Sequence, residues 1–163
     1  MSGSAIPTQW TTRSLLGWMA TAFGERQLDA PRLSAELLLA HVLGVERMRL
    51  YMEADRPASE AERAALRDLV RRALAHEPIQ YLVGTWPFFG LELKVDRRAL
   101  IPRPCTEQIA ELVVQRGRNR PAGEPIRIAD VGTGTGCLAL ALNDEFGDLL
   151  GAGPRDEGAA IDL

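Results

Sequence analysis

Apolar positions recur with helical spacing through the first 78 residues. Leu15, Leu16, Met19, Ala22 and Phe23 fall on one side of a segment that Thr11 or Thr12 can cap and Gly24 ends. "APRLSAELLLAHVL" continues the pattern. Leu33, Leu37 and Ala40 form its stripe, Asp29 stands where a cap is needed, Pro31 suits the first turn and Gly44 stops it. A short helix is expected over 46–52. Ser59-Glu-Ala-Glu62 then has capping-box spacing, in which a hydroxyl and a carboxylate satisfy the free N–H groups of a helix start. The helix behind it turns Leu66, Leu69, Val70 and Ala73 inward and ends before Pro78.

The period then shortens. Leu91-Glu92-Leu93-Lys94-Val95 alternates apolar and polar side chains behind Gly90, which predicts a β-hairpin or an extended connector. In "ALIPRPCTEQIAELVV" two prolines enforce an extended lead, and Thr106 is placed to cap a helix from Glu107 to Arg116. The Gly-, Pro- and Arg-rich run 117–125 reads as a linker. Residues 126–131 read as a strand, and Gly136 as the start of a helix.

Between that strand and that helix stands Gly132-Thr133-Gly134-Thr135-Gly136. Glycine allows a tight turn and close approach of backbone to a ligand. A helix start adds unpaired N–H donors and a partial positive charge, which suit a phosphate or carboxylate. The spacing is not the dinucleotide pattern G-x-G-x-x-G. G-x-G-x-G is common in enzymes that use S-adenosylmethionine (SAM), where the anion held is the amino-acid end of the cofactor. A plain glycine-rich turn is the alternative. An acid about 20 residues further on would bind the ribose hydroxyls. Asp162, in "AAIDL", lies beyond that spacing and fits only if "GDLLGAGPRDEG" is an insertion.

Composition narrows the field without choosing within it. A net charge of −3 gives no overall basic field for nucleic acid. No apolar run approaches a membrane span, and Met1–Pro7 lacks the basic start and apolar core of a secretion signal. Two cysteines, Cys105 and Cys137, make no disulfide framework and fit a reducing cytoplasm. No His/Cys cluster has metal spacing, so no metal is expected.

Two distant stretches carry a family resemblance. "EPIQYLVGTWPFFGLELKVDRRALIPRPCTE" (77–107) resembles the segment that joins the helical and catalytic domains of the release-factor glutamine methyltransferases, the PrmC/HemK family. Glu77, Pro78, Tyr81, Gly84, Gly90, Val95 and the run Leu-Ile-Pro-Arg-Pro-x-Thr-Glu (100–107) stand at matching places. "AELLLAHVLG" (35–44) resembles the family's second helix, and "IADVGTGTGCLALAL" (128–142) its cofactor loop.

The resemblance implies an α+β chain. Residues 1–77 would be a helical bundle that recognises substrate, and 78–117 a hairpin connector with its following helix. Residues 118–125 would be a linker, and 126–163 the start of a Rossmann-like SAM domain. It implies SAM as cofactor, peptide chain release factors as protein substrate, and cofactor contacts from Asp130, Gly132, Thr133, Gly134, Thr135, Gly136 and Asp162.

There are departures. Cys105 replaces an acidic residue of the family pattern. The family's catalytic Asn-Pro-Pro-Tyr is absent, since neither Asn119 nor Asn143 precedes a proline. In the family that asparagine and the next proline carbonyl hold the glutamine amide in line with the methyl group, so catalysis is largely positioning. No catalytic residue is assigned here, and the chain reads as a shortened enzyme. A parallel strand buries both faces and needs neighbours, so order in 126–163 is expected to depend on a completing partner. A release-factor-binding module without activity and a different Rossmann-like nucleotide enzyme stay open.

Remaining polar and aromatic residues have plainer readings. His41 and His76 read as ordinary helix residues. Arg63, Arg67, Arg71 and Arg72 make either a solvated face or a docking surface for an acidic patch. Trp86, Phe88 and Phe89 either pack in the core or cover the ligand.

Overall fold

Among the described residues up to Gly84, five helices surround one apolar core. The structure, a computed structural model, describes residues 9–121 and 127–149. Two compact units meet in sequence at Gly84. The first holds α1 (Thr12–Glu25), α2 (Pro31–Leu43), α3 (Arg47–Met52), α4 (Glu60–Leu74) and α5 (Ile79–Val83). Met19, Phe23, Ala35, Leu38, Leu66 and Val70 are among the side chains that close its core.

The expected capping box at Ser59 forms, and a second one stands at the start of α1, where only a cap at Thr11 or Thr12 was expected. The Thr11 hydroxyl accepts from Ser14 N–H while Ser14 Oγ accepts from Thr11 N–H at 2.8 Å. Ser59 N–H donates to Glu62 Oε2 at 2.7 Å, and Glu62 N–H to Ser59 Oγ at 3.3 Å. Arg56 adds bonds of 3.2 and 2.5 Å to the two Glu62 oxygens. These bonds, from Arg56 first and the Ser59 backbone second, hold the Glu62 carboxyl down at about 2.

Four helical expectations change. Gly24 lies inside α1, which ends at Glu25 with Arg26 as its cap. Asp29 does not cap α2 through its side chain. Ala30 occupies the cap position in a left-handed conformation, φ 45°, and Ser34 Oγ donates to the Asp29 carbonyl at 3.1 Å. Leu33 is exposed, and Leu38 and Leu39 enter the core instead. "SAELLLA" is apolar around most of its circumference, so the inward face is set by the neighbours α1, α4 and α5, not by periodicity. Finally, α5 follows Pro78 where no helix was expected. Ile79 and Leu82 bury, and Gly84 caps it at φ 81°. Arg72 and Glu77 tie the end of α4 to this helix through bonds of 2.8 and 2.7 Å.

The described residues of the second unit form a hairpin and two helices. β1 (Thr85–Phe88) and β2 (Leu91–Lys94) pair antiparallel, with Trp86 opposite Leu93 and Phe88 opposite Leu91. The two-residue turn uses positive φ at both positions, 47° at Phe89 and 81° at Gly90, as tight hairpins of the favoured twist require. α6 (Pro104–Arg118) starts at Pro104 with Arg103 as cap, so Thr106 sits within the first turn and caps nothing. A proline needs no N–H partner there, and its fixed φ suits the first helical position.

α7 (Cys137–Leu149) begins one residue after Gly136. Cys137 and Ala141 pack with Phe88 and Leu93 of the hairpin, and Leu142 and Phe146 with Ala110 and Val114 of α6. The strand expected over 126–131 is not seen. Residues 127–131 pair with nothing among the described residues, and Val131 is 94% exposed. A parallel strand takes its hydrogen bonds and both its apolar faces from neighbours, and the hairpin is the only sheet described. The unit is therefore mixed helix with a small antiparallel sheet.

Candidate functional site

The glycine loop turns directly into α7. Gly132, Gly134 and Gly136 all have positive φ, at 81°, 60° and 74°. A Cβ at Gly132 would meet nothing within 4 Å, and at Gly134 only the Gly132 carbonyl at 3.8 Å. Backbone conformation and not crowding therefore calls for glycine at these two positions. Thr133 stiffens the turn. Thr133 Oγ1 donates to the Asp130 carbonyl at 3.0 Å, and Gly136 N–H donates to the Thr133 carbonyl at 2.9 Å. Leu140 N–H then closes the first turn of α7 on the Gly136 carbonyl at 2.9 Å.

The loop thus brings together Asp130, Gly132, Thr133, Gly134, Thr135 and Gly136 at the N-terminus of a packed helix. Asp130 adds a specific chemical feature. Its Oδ2 is buried and has no hydrogen-bond partner. A buried acceptor without a donor costs about 1–3 kcal/mol. The fit is to a ligand that carries an N–H or O–H donor at one place and an anionic group for the helix N-terminus at another. Asp162 lies outside the described residues.

The remaining candidates have structural places. His41 and His76 are exposed at helix ends, Cys137 is buried in the hairpin cluster and Cys105 is exposed. Among the described residues no group of His, Cys, Asp and Glu gathers to hold a metal. The arginines of α4 face acids. Arg63 and Arg67 share Glu60, the latter at 3.9 Å; Arg71 meets Asp68 at 2.5 Å, and Arg72 meets Glu77. The face is a mixed-charge surface and not a bare basic stripe. Next to it, Trp10, Trp18, Leu66, Arg63 and Arg67 line a cavity of about 230 Å³, with the two indoles edge to face at 5.9 Å. Phe88 is 1% exposed and belongs to the core. No described helix is long and apolar enough to cross a membrane.

Reading the sequence missed Glu107. Its Oε1 accepts from the Phe89 backbone N–H at 3.2 Å and so joins the first turn of α6 to the hairpin turn. The signal was present in the Pro-Arg-Pro-x-Thr-Glu run, but nothing in the chain order indicates that the glutamate reaches eighteen residues back.

Comparison with known proteins agrees with this organisation. Residues 14–84 match the family model described as the PrmC N-terminal domain. The chain is 42% identical over 135 residues to a release factor glutamine methyltransferase from Chlorobaculum tepidum, covering 82% of this chain and 46% of that protein. It is 34% identical over 164 residues to one from Rhodopirellula baltica (100% and 53%). It is 37% identical over 157 residues to one from Geobacter sulfurreducens (96% and 54%). The chain spans about half the length of the curated relatives it matches. The first unit thus carries a match to the PrmC N-terminal domain, and the similarity to release factor glutamine methyltransferases continues through the hairpin and the glycine loop.

Proposed function

We propose that this chain carries the substrate-docking and cofactor-binding half of a SAM-dependent methyltransferase. Its substrate would be the glutamine of the Gly-Gly-Gln tripeptide in peptide chain release factors, in the cytoplasm. In this reading residues 1–77 recognise the release factor, 78–117 form the connector and its helix, 118–125 a linker, and 126–163 the cofactor domain. One observation carries the cofactor assignment: three left-handed glycines open α7 beside a buried, unpartnered Asp130 oxygen.

When bound, the cofactor supplies a methyl group on a positively charged sulfur. The chain's own residues would hold its amino-acid and ribose ends. Gly132–Gly136 let the backbone come close, the first-turn N–H groups of α7 receive the carboxylate, and Asp130 accepts from an ammonium or hydroxyl donor. Asp162 is assigned to the ribose. The 163 residues contain no Asn-Pro-Pro-Tyr, so aiming of the acceptor amide is assigned to no residue of this chain.

Calorimetric titration with SAM tests the reading. We expect binding, weakened by Gly134→Ala, and no labelled methyl passed to a release factor by these residues alone. Absence of any heat with SAM would sink the cofactor assignment, and efficient transfer would sink the claim of inactivity. A second reading, a release-factor-binding module without chemistry, is favoured by the closed core of the first unit. Capture of a release factor by a chain that does not bind SAM would select it.

A further inference from the structure

We infer that Glu107 is a positioning residue for the glycine-loop site, acting through the hairpin turn and Leu140; this rests on the cofactor reading above. Glu107 stands in the first turn of α6, where a carboxylate is also favoured by the helix dipole. Its one described hydrogen bond runs elsewhere, to the N–H of Phe89 at 3.2 Å. Phe89 needs such an anchor. A bulky side chain at φ 47° is strained and persists only where its surroundings hold it.

From there the contacts lead to the site. Phe89 packs against both small clusters of the second unit, the one containing Phe88, Leu140 and Cys137 and the one containing Ala110 and Leu142. Leu140 in turn lies beside the loop. Its N–H bonds the Gly136 carbonyl at 2.9 Å, and its Cδ1 is 3.9 Å from where a Cβ of Gly136 would stand. The carboxylate thus fixes the turn, the turn fixes Phe88 and Phe89, and these set the start of the helix whose N-terminus faces the ligand. Because the acceptor oxygen matters and not the charge, glutamine can replace the glutamate while alanine cannot.

Wild type, Glu107→Gln and Glu107→Ala, all in the full chain, are compared by SAM calorimetry and by amide hydrogen exchange over Gly132–Leu140. Glu107→Ala is expected to lower SAM affinity about tenfold and to speed exchange at Gly136 and Leu140. Glu107→Gln is expected to keep both near wild type even if thermal stability falls from the lost charge at the helix start. Equal loss in both variants would reduce the role to helix-dipole stabilisation and overturn the inference, as would no change in either. If wild type does not bind SAM, the cofactor reading falls and exchange alone decides. Alanine-specific loss of protection at the loop keeps the positioning role, and unchanged protection ends it.

Discussion

The five described helices of the first unit close one continuous apolar core, whereas the described part of the second unit has two small clusters, each with residues of α7. The difference lies in how each kind of element satisfies itself. A helix makes its backbone bonds internally and needs only one face covered. Residues 127–131 have an apolar strand-like pattern but no ladder, and Ile128 and Val131 stay exposed among the described residues. The candidate site therefore stands on the less consolidated of the two units, held by the hairpin and α6.

The sharpest test of this contrast is a matched truncation. Phe23→Ala, at a fully buried position in the single core, should cost about 3–5 kcal/mol of unfolding free energy in a denaturant titration. Phe88→Ala is expected to cost less, about 2–3 kcal/mol, because a small cluster collapses more readily around the lost ring. Equal costs would break the comparison.

A smaller effect probes the local devices that make the first unit self-sufficient. Ser59→Ala removes one half of the α4 capping box and should lower stability by about 1 kcal/mol. A loss below the error of the titration would mean that packing alone holds α4 in place.

The smallest expected effect is electrostatic. The folded-state carboxyl of Glu62 titrates at about 2 against an ordinary 4.5, mainly because Arg56 and the Ser59 backbone bond its charged form. A depressed folded value means that the stabilisation is fully present above about 4.5 and is lost as pH falls from there toward 2. Arg56 is partly exposed, so screening reduces the contribution to about 1 kcal/mol or less. Glu62→Gln should flatten the acid limb of stability against pH, and an unchanged limb would assign acid loss to other carboxylates.

Much of the first unit was legible because its signals are local. The cap at Thr11 and the pairing of Ser59 with Glu62 each join groups three residues apart, within reach of the helix start they belong to. The glycine loop was legible for the same reason, since positive φ at Gly132, Gly134 and Gly136 is a property of the backbone itself. The inward face of α2 was not. Leu33, Leu37, Leu38 and Leu39 leave periodicity with more than one answer, and the neighbouring helices choose.

The sequence by itself determined where α1 and α4 begin, where the hairpin turns and which positions of the loop before α7 need glycine, because each depends on atoms a few residues apart. Only the tertiary structure decided that Leu38 and not Leu33 is buried, that α7 packs between the hairpin and α6, and that Glu107 holds Phe89. Those outcomes depend on surfaces and hydrogen-bond partners brought together from distant parts of the chain, which a linear pattern of apolar and polar positions does not encode.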